Sequence, residues 1–163
     1  MRRTHLLCVA GLSLWSAVVA GGGQAPAGPL AGELRAHVAD EQFGTVTSIR
    51  GLPLGVRDAL QALFGSRSLD IADPGGEFQA TGTSARPALP LRRLVAAGCS
   101  IDHCLVYYER GGGLRTWRVA LFHWTPAETR FEWGATAPGS LATIADVRSA
   151  VLSGAISGEA TLW

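Results

Sequence analysis

The chain contains no lysine and no asparagine. All fourteen basic residues are arginine, set against thirteen acids, for a formal net charge of +1. A chain this close to neutral has no field to draw nucleic acid or an anionic membrane surface, so neither is expected as a partner. The absence of lysine goes with 21 glycines and many alanines, the mark of a GC-rich coding sequence. The arginine preference therefore says little about anion recognition. Charged residues are scarce at 17%, against 47% hydrophobic, and this excludes a disordered chain, whose apolar surface could not offset its conformational entropy. Signatures of catalysis are missing as well: no G-x-S-x-G nucleophile turn and no HExxH zinc helix. At 163 residues, one domain is the natural expectation.

What is present begins with a processing segment. Arg2 and Arg3 precede an uncharged apolar run over residues 6–20, followed by Gly21, Gly22 and Gly23. Charge, short apolar run and small residues together read as a secretory signal peptide over residues 1–27, cleaved after Ala20 or Ala27. The run is shorter than the roughly 20 residues a spanning helix needs, so no stable membrane span is expected after cleavage. Cys8 is lost with the signal. Without residues 1–27 the balance is twelve arginines against thirteen acids. The expected location is exported, either periplasmic or secreted.

Residues 28–43 read as a lead-in, with Leu30, Leu34 and Val38 at a spacing that suits a weak helical turn or an extended segment. Residues 44–163 read as a single small domain. Residues 45–49 are β-branched and suit a strand. Residues 53–64 place Val56, Leu60, Leu63 and Phe64 on one helical face, with Pro53 at the start and Gly65 as the stop. Residues 68–72 and 77–81 flank the turn signal Asp73-Pro74-Gly75-Gly76 and suggest a hairpin. Strands follow at 91–97, 104–110, 114–124 and 130–134. A last helix starts at Thr143, where Asp146 completes a variant of the capping box, and stops at Gly154. The order predicts an α+β fold: an antiparallel β-sheet of about four to six strands with two helices packed on one side.

Residues 91–133 hold most of the chemistry. Cys99 and Cys104 flank a four-residue connection between paired strands, and an exported chain meets oxidising conditions, so a structural disulfide is expected. Redox cysteines favour two intervening residues. A metal set of Cys99, His103 and Cys104 fails because neighbours on a strand face opposite ways and no fourth ligand is evident. No metal and no cofactor are expected. His103 and His123 invite acid–base chemistry with Asp102, Glu109 or Glu128 as partner, but no spacing supports a catalytic assignment. Gly111-Gly112-Gly113 is a flexible turn, since a strand rather than a helix follows it. Tyr107, Trp117, Arg118, Trp124 and Trp133 belong to a dense aromatic stretch that suggests a binding patch.

The leading expectation is thus a non-catalytic binding or envelope-associated domain whose partner is a protein or another cell-envelope component. A small envelope hydrolase using His103 or His123 comes second. A structural or assembly protein pairing through a sheet edge comes third.

Overall fold

The computed structural model describes residues 28–30, 32–81 and 88–156. The segment read as a signal peptide and the terminal Leu162 and Trp163 lie outside the described residues. The elements run α1 (Gly32–Asp40), β1 (Gly44–Val46), a single 3-10 turn (Ile49–Gly51), α2 (Leu54–Leu63), β2 (Arg92–Cys99), β3 (His103–Arg110), β4 (Thr116–Trp124), β5 (Thr129–Ala137) and α3 (Ile144–Ser153). The strands form one antiparallel sheet in the order β1-β2-β3-β4-β5. The α+β class and the antiparallel sheet are as expected.

The two helices anticipated from periodicity do not share a side. Val56 and Leu60 of α2 pack on one face of the sheet with Leu94, Val106, Tyr108 and Phe122. Ile144, Val147 and Val151 of α3 pack on the other with Leu105, Tyr107, Leu121 and Trp133, joined there by Val38 of α1. The reason is visible in β3, which is buried at every position from His103 to Glu109. A strand apolar on both parities needs cover on both faces. α1 fills the remaining space, so Gly32–Asp40 within the lead-in is helical rather than extended.

The helix ends follow from local chemistry. The Thr143 side chain accepts from the Asp146 backbone N–H, and Asp146 accepts in return from the Thr143 N–H at 2.9 Å. The Thr143 hydroxyl donating to Asp146 Oδ2 at 2.8 Å, together with the Thr143 and Ala142 N–H groups, holds the carboxyl below its ordinary range. Gly154 ends α3 at φ 77°, where a side chain would be strained.

The hairpin expected over 68–81 does not form. Ala72 instead makes an isolated parallel bridge to Arg93 on the outer edge of β2. Residue 79 is tied to the end of β2 instead: the Gln79 N–H donates to Pro90 O at 2.8 Å. Asp70 inside the proposed strand and Asp73 just after it are spent elsewhere. Asp70 accepts from the Leu91 N–H and from Arg92, and Asp73 accepts from the Ile49 N–H.

Candidate functional site

β3 begins at His103, and its register partner on β4 is His123. Their rings meet edge to face with centroids 5.4 Å apart. Both lie on the side of the sheet that α1 and α3 cover. α1 contributes His37, whose ring stands 4.3 Å from that of His103, and Glu41 follows one turn on, just past the helix end, with its N–H donating to His37 O. Residues four apart on a helix share a face, so this pair is presented together. Glu41 Oε1 lies 2.5 Å from His37 Nδ1 and 3.0 Å from His103 Nδ1. Asp102 Oδ1 lies 3.0 Å from the same His103 nitrogen. At the other ring nitrogen, Nε2, stands Glu132 Oε2 at 3.4 Å. His103 is 3% exposed, so a buried imidazole has carboxylates facing both of its nitrogens.

Four local devices hold these groups. Cys99 and Cys104 are register partners on β2 and β3 and are joined by a disulfide, which closes the connection carrying Ser100, Asp102 and His103. Within that connection the His103 N–H donates to Ser100 Oγ at 2.9 Å, and the Ser100 hydroxyl donates to Glu41 Oε2. The Arg148 guanidinium of α3 donates to the carbonyls of Val38, Ala39 and Glu41, satisfying orphan acceptors at the end of α1. Finally, the β4–β5 register shifts between Leu121, paired with Trp133, and Phe122, paired with Phe131. Glu132 is the extra residue of this bulge, and the bulge turns it towards His103.

The cluster opens into a pocket of about 320 Å³ lined by His37, Asp102, His103, His123, Arg130 and Glu132, with Glu33 and Leu34 at the α1 side. Arg130 bonds Glu132 Oε1 at 2.8 Å, and that carboxylate raises the guanidinium pKa further above its ordinary value. Glu33, Asp102 and Glu132 line the pocket with this guanidinium, which also meets Glu128, while Glu41 stands beside His37 and His103. Glu132 Oε2 is buried and makes no hydrogen bond. Ser100 bonds a carboxylate rather than an imidazole, so the serine–histidine contact that acyl transfer requires is not made.

The residues anticipated from sequence are placed unevenly. The Cys99–Cys104 disulfide is present. His103 and His123, named as acid–base candidates, are brought together, with Asp102 beside His103. The aromatic stretch does not make one exposed patch. Tyr107 and Trp133 are 0% and 2% exposed in the core under α1 and α3, and Trp117 packs half-buried against that same core. Trp124 packs half-buried on the α2 side. Arg118 is 8% exposed and donates to the Thr136 hydroxyl. Alternation along β4 sends neighbours to opposite faces, and each face is roofed by helix. Glu109, the other carboxylate considered, pairs with Arg93 and Arg115 far along β3 from the histidines.

Sequence reasoning missed His37, Glu41 and Glu132. The first two carry a signal, the i, i+4 spacing of His37 and Glu41. Glu132 carries none, because only the bulge aims it.

No family model, curated protein or solved structure matches this chain. No helix among the described residues is long and apolar enough to cross a membrane. The fold and the cluster define the class: a small α+β domain with a disulfide and a histidine–carboxylate pocket at one end of its sheet.

Proposed function

We propose that this chain is an exported, non-catalytic binding domain of the cell envelope that binds through the histidine pocket rather than through its aromatic sheet. One observation carries the reading: His37, His103 and His123 line one opening with the carboxylates of Glu33, Asp102 and Glu132, Glu41 stands beside two of the rings, and Arg130 is the one guanidinium among the described lining residues. The excess of negative charge selects a cationic group, free or borne by a protein or another envelope component. The Arg2-Arg3 pair, the apolar run and the small residues after it support export, and the disulfide suits an oxidising compartment.

A hydrolase built on His103 or His123 stands second. A general base needs a nitrogen free to meet the substrate's proton, and both nitrogens of His103 face carboxylates. The aromatic residues, being mostly core, no longer favour a partner surface there.

The test is a native intact-mass spectrum of the protein purified from the exported fraction, beside the same spectrum for Glu41→Gln. The expected species lacks 20 or 27 residues, shows the mass deficit of one disulfide, and carries a retained adduct that the variant loses. An unprocessed chain in the cytoplasm overturns export. A processed chain that is bare, or an adduct indifferent to Glu41→Gln, overturns the pocket as the binding site.

A further inference from the structure

Resting on the pocket reading, we propose that the cation is a single divalent transition-metal ion of the zinc class, ligated by His37, Glu41 and His103 with one coordination position open to the pocket. The ligating atoms of these three residues lie within 4.8 Å of one another.

The two ring nitrogens of His103 face different carboxylates. A neutral imidazole carries one N–H and one lone pair. If the proton sits on Nδ1, it serves Glu41 and Asp102, and the lone pair on Nε2 faces the buried Oε2 of Glu132. That oxygen belongs to a side chain only 9% exposed and has no hydrogen bond. If the proton sits on Nε2, it points at Oε2 and supplies the missing donor. The lone pair on Nδ1 then faces two carboxylates at 3.0 Å, an arrangement that a cation shared with His37 Nδ1 would relieve. A metal at Nδ1 satisfies every group at once. Metal-bound histidines ordinarily give their other N–H to a carboxylate, and Glu132 stands where that partner belongs.

The remaining shell fits. Glu41 would ligate through Oε1 while its Oε2 accepts from the Ser100 hydroxyl. His37 Nδ1 is already turned to Glu41 Oε1 at 2.5 Å, and its half-exposed ring is free to open that separation. Donors on a tetrahedral zinc with bonds near 2.0 Å stand roughly 3.3 Å apart, close to the 3.0 Å between Glu41 Oε1 and His103 Nδ1. Two imidazoles and one carboxylate suit zinc, nickel or copper(II). Calcium and magnesium ask for six or more oxygens or retained water. Asp102, His103 and His123 form a second grouping with the same spacing, but the outer carboxylate at Nε2 and the hydroxyl on Glu41 favour the first.

The test is calorimetric titration of the oxidised, chelator-stripped chain with zinc chloride, with cobalt(II) absorption as a second readout. One equivalent should bind, with the visible bands of four-coordinate cobalt. His37→Ala, on an exposed ring, should abolish binding without changing the melting temperature of the metal-free chain. Glu132→Gln should weaken it about 10- to 100-fold, as loss of an outer-shell partner does. His123→Phe should leave it unchanged. Binding that survives His37→Ala, or that needs His123 instead, overturns the ligand set. No binding by zinc, cobalt(II), nickel or copper(II) overturns the metal. A chain that rejects metal but carries an organic adduct from the exported fraction sinks this inference and keeps the pocket reading; a chain bare in both experiments sinks both.

Discussion

Arg148 of α3 grips the carbonyl of Val38 twice, through Nε at 3.0 Å and Nη2 at 2.8 Å, while Nη2 also reaches the carbonyl of Glu41 at 2.9 Å. One guanidinium therefore fixes the end of α1, and with it the direction of His37 and Glu41. Phe43 lies under the guanidinium at 5.1 Å and keeps it in place. Arg148→Met should cost roughly 1.5–3 kcal/mol in urea unfolding, the worth of hydrogen bonds made by a charged donor. Arg148→Lys should recover little of this, because a point charge cannot reach several carbonyls with one planar fork. Full recovery by lysine would show that charge at the helix end matters and the fork does not.

Gly111 ends β3 against the backbone of residue 79. A Cβ at Gly111 would stand 1.8 Å from Gln79 O, an atom that cannot yield without moving the chain. Gly112 adopts φ 82°, and Gly113 meets nothing within 4 Å. Gly111→Ala should lose about 1–3 kcal/mol or more as overpacking. Gly113→Ala should stay within about 0.5 kcal/mol. Equal melting temperatures for the two variants would contradict this arrangement.

Much of this sheet was legible beforehand, because β3, β4 and β5 combine β-branched and aromatic residues with turn signals between them. α2 and α3 were legible from a stripe at helical spacing and from caps. Which face each helix would cover was not, since a strand buried on both sides carries no alternation to say so. The site was half legible. His103 and His123 stood out as residue types, and the paired cysteines announced the connection that carries His103. The segment holding His37 and Glu41 has weak amphipathicity and owes its helix to packing and to Arg148. Glu132 was hidden for a different reason: in a regular ladder it would have pointed the other way.

The Cys99–Cys104 bond closes a short loop that positions Ser100, Asp102 and His103. A loop of this length constrains the unfolded chain by about 2 kcal/mol in the chain-entropy account. The Cys99→Ser, Cys104→Ser double variant should lose that much in urea unfolding under oxidising conditions. The native chain should fall to the same stability when a reductant is added. A reductant effect that persists in the double variant would come from elsewhere.

Tyr107 sits in the core with its hydroxyl donating to the carbonyl of Pro138, and burial pushes its pKa up from 10.0 to about 12. The unfolded chain therefore releases this proton before the folded one does. The contribution to stability is complete below pH 10 and is lost as pH rises from there to about 12. Tyr108 is raised by burial as well and adds to the loss at higher pH. Unfolding free energy measured across this range should fall with pH, and Tyr107→Phe should flatten the part between 10 and about 12. A flat wild-type profile would mean that the phenol reaches water.

Glu109 is 1% exposed and lies between two guanidinia, accepting from Arg93 Nε at 2.5 Å and from Arg115 Nε at 2.6 Å. The arginines are unequal: the Arg93 side chain is 27% exposed and that of Arg115 46%. The asymmetry sets an order of costs. Removing the acid strands two cations, but both can turn to water, so Glu109→Ala should cost about 3 kcal/mol, the low end for breaking a buried pair. Removing Arg93 leaves a buried carboxylate with one half-solvated partner, and the carboxylate cannot reach water by itself, so Arg93→Ala should cost at least as much. Arg115→Ala should cost least, about 1 kcal/mol, because Arg93 still neutralises the acid and the lost contact was half in solvent. Urea unfolding of the three variants checks the order. If Arg115→Ala proved as costly as Arg93→Ala, the two guanidinia would act as one unit around the buried acid.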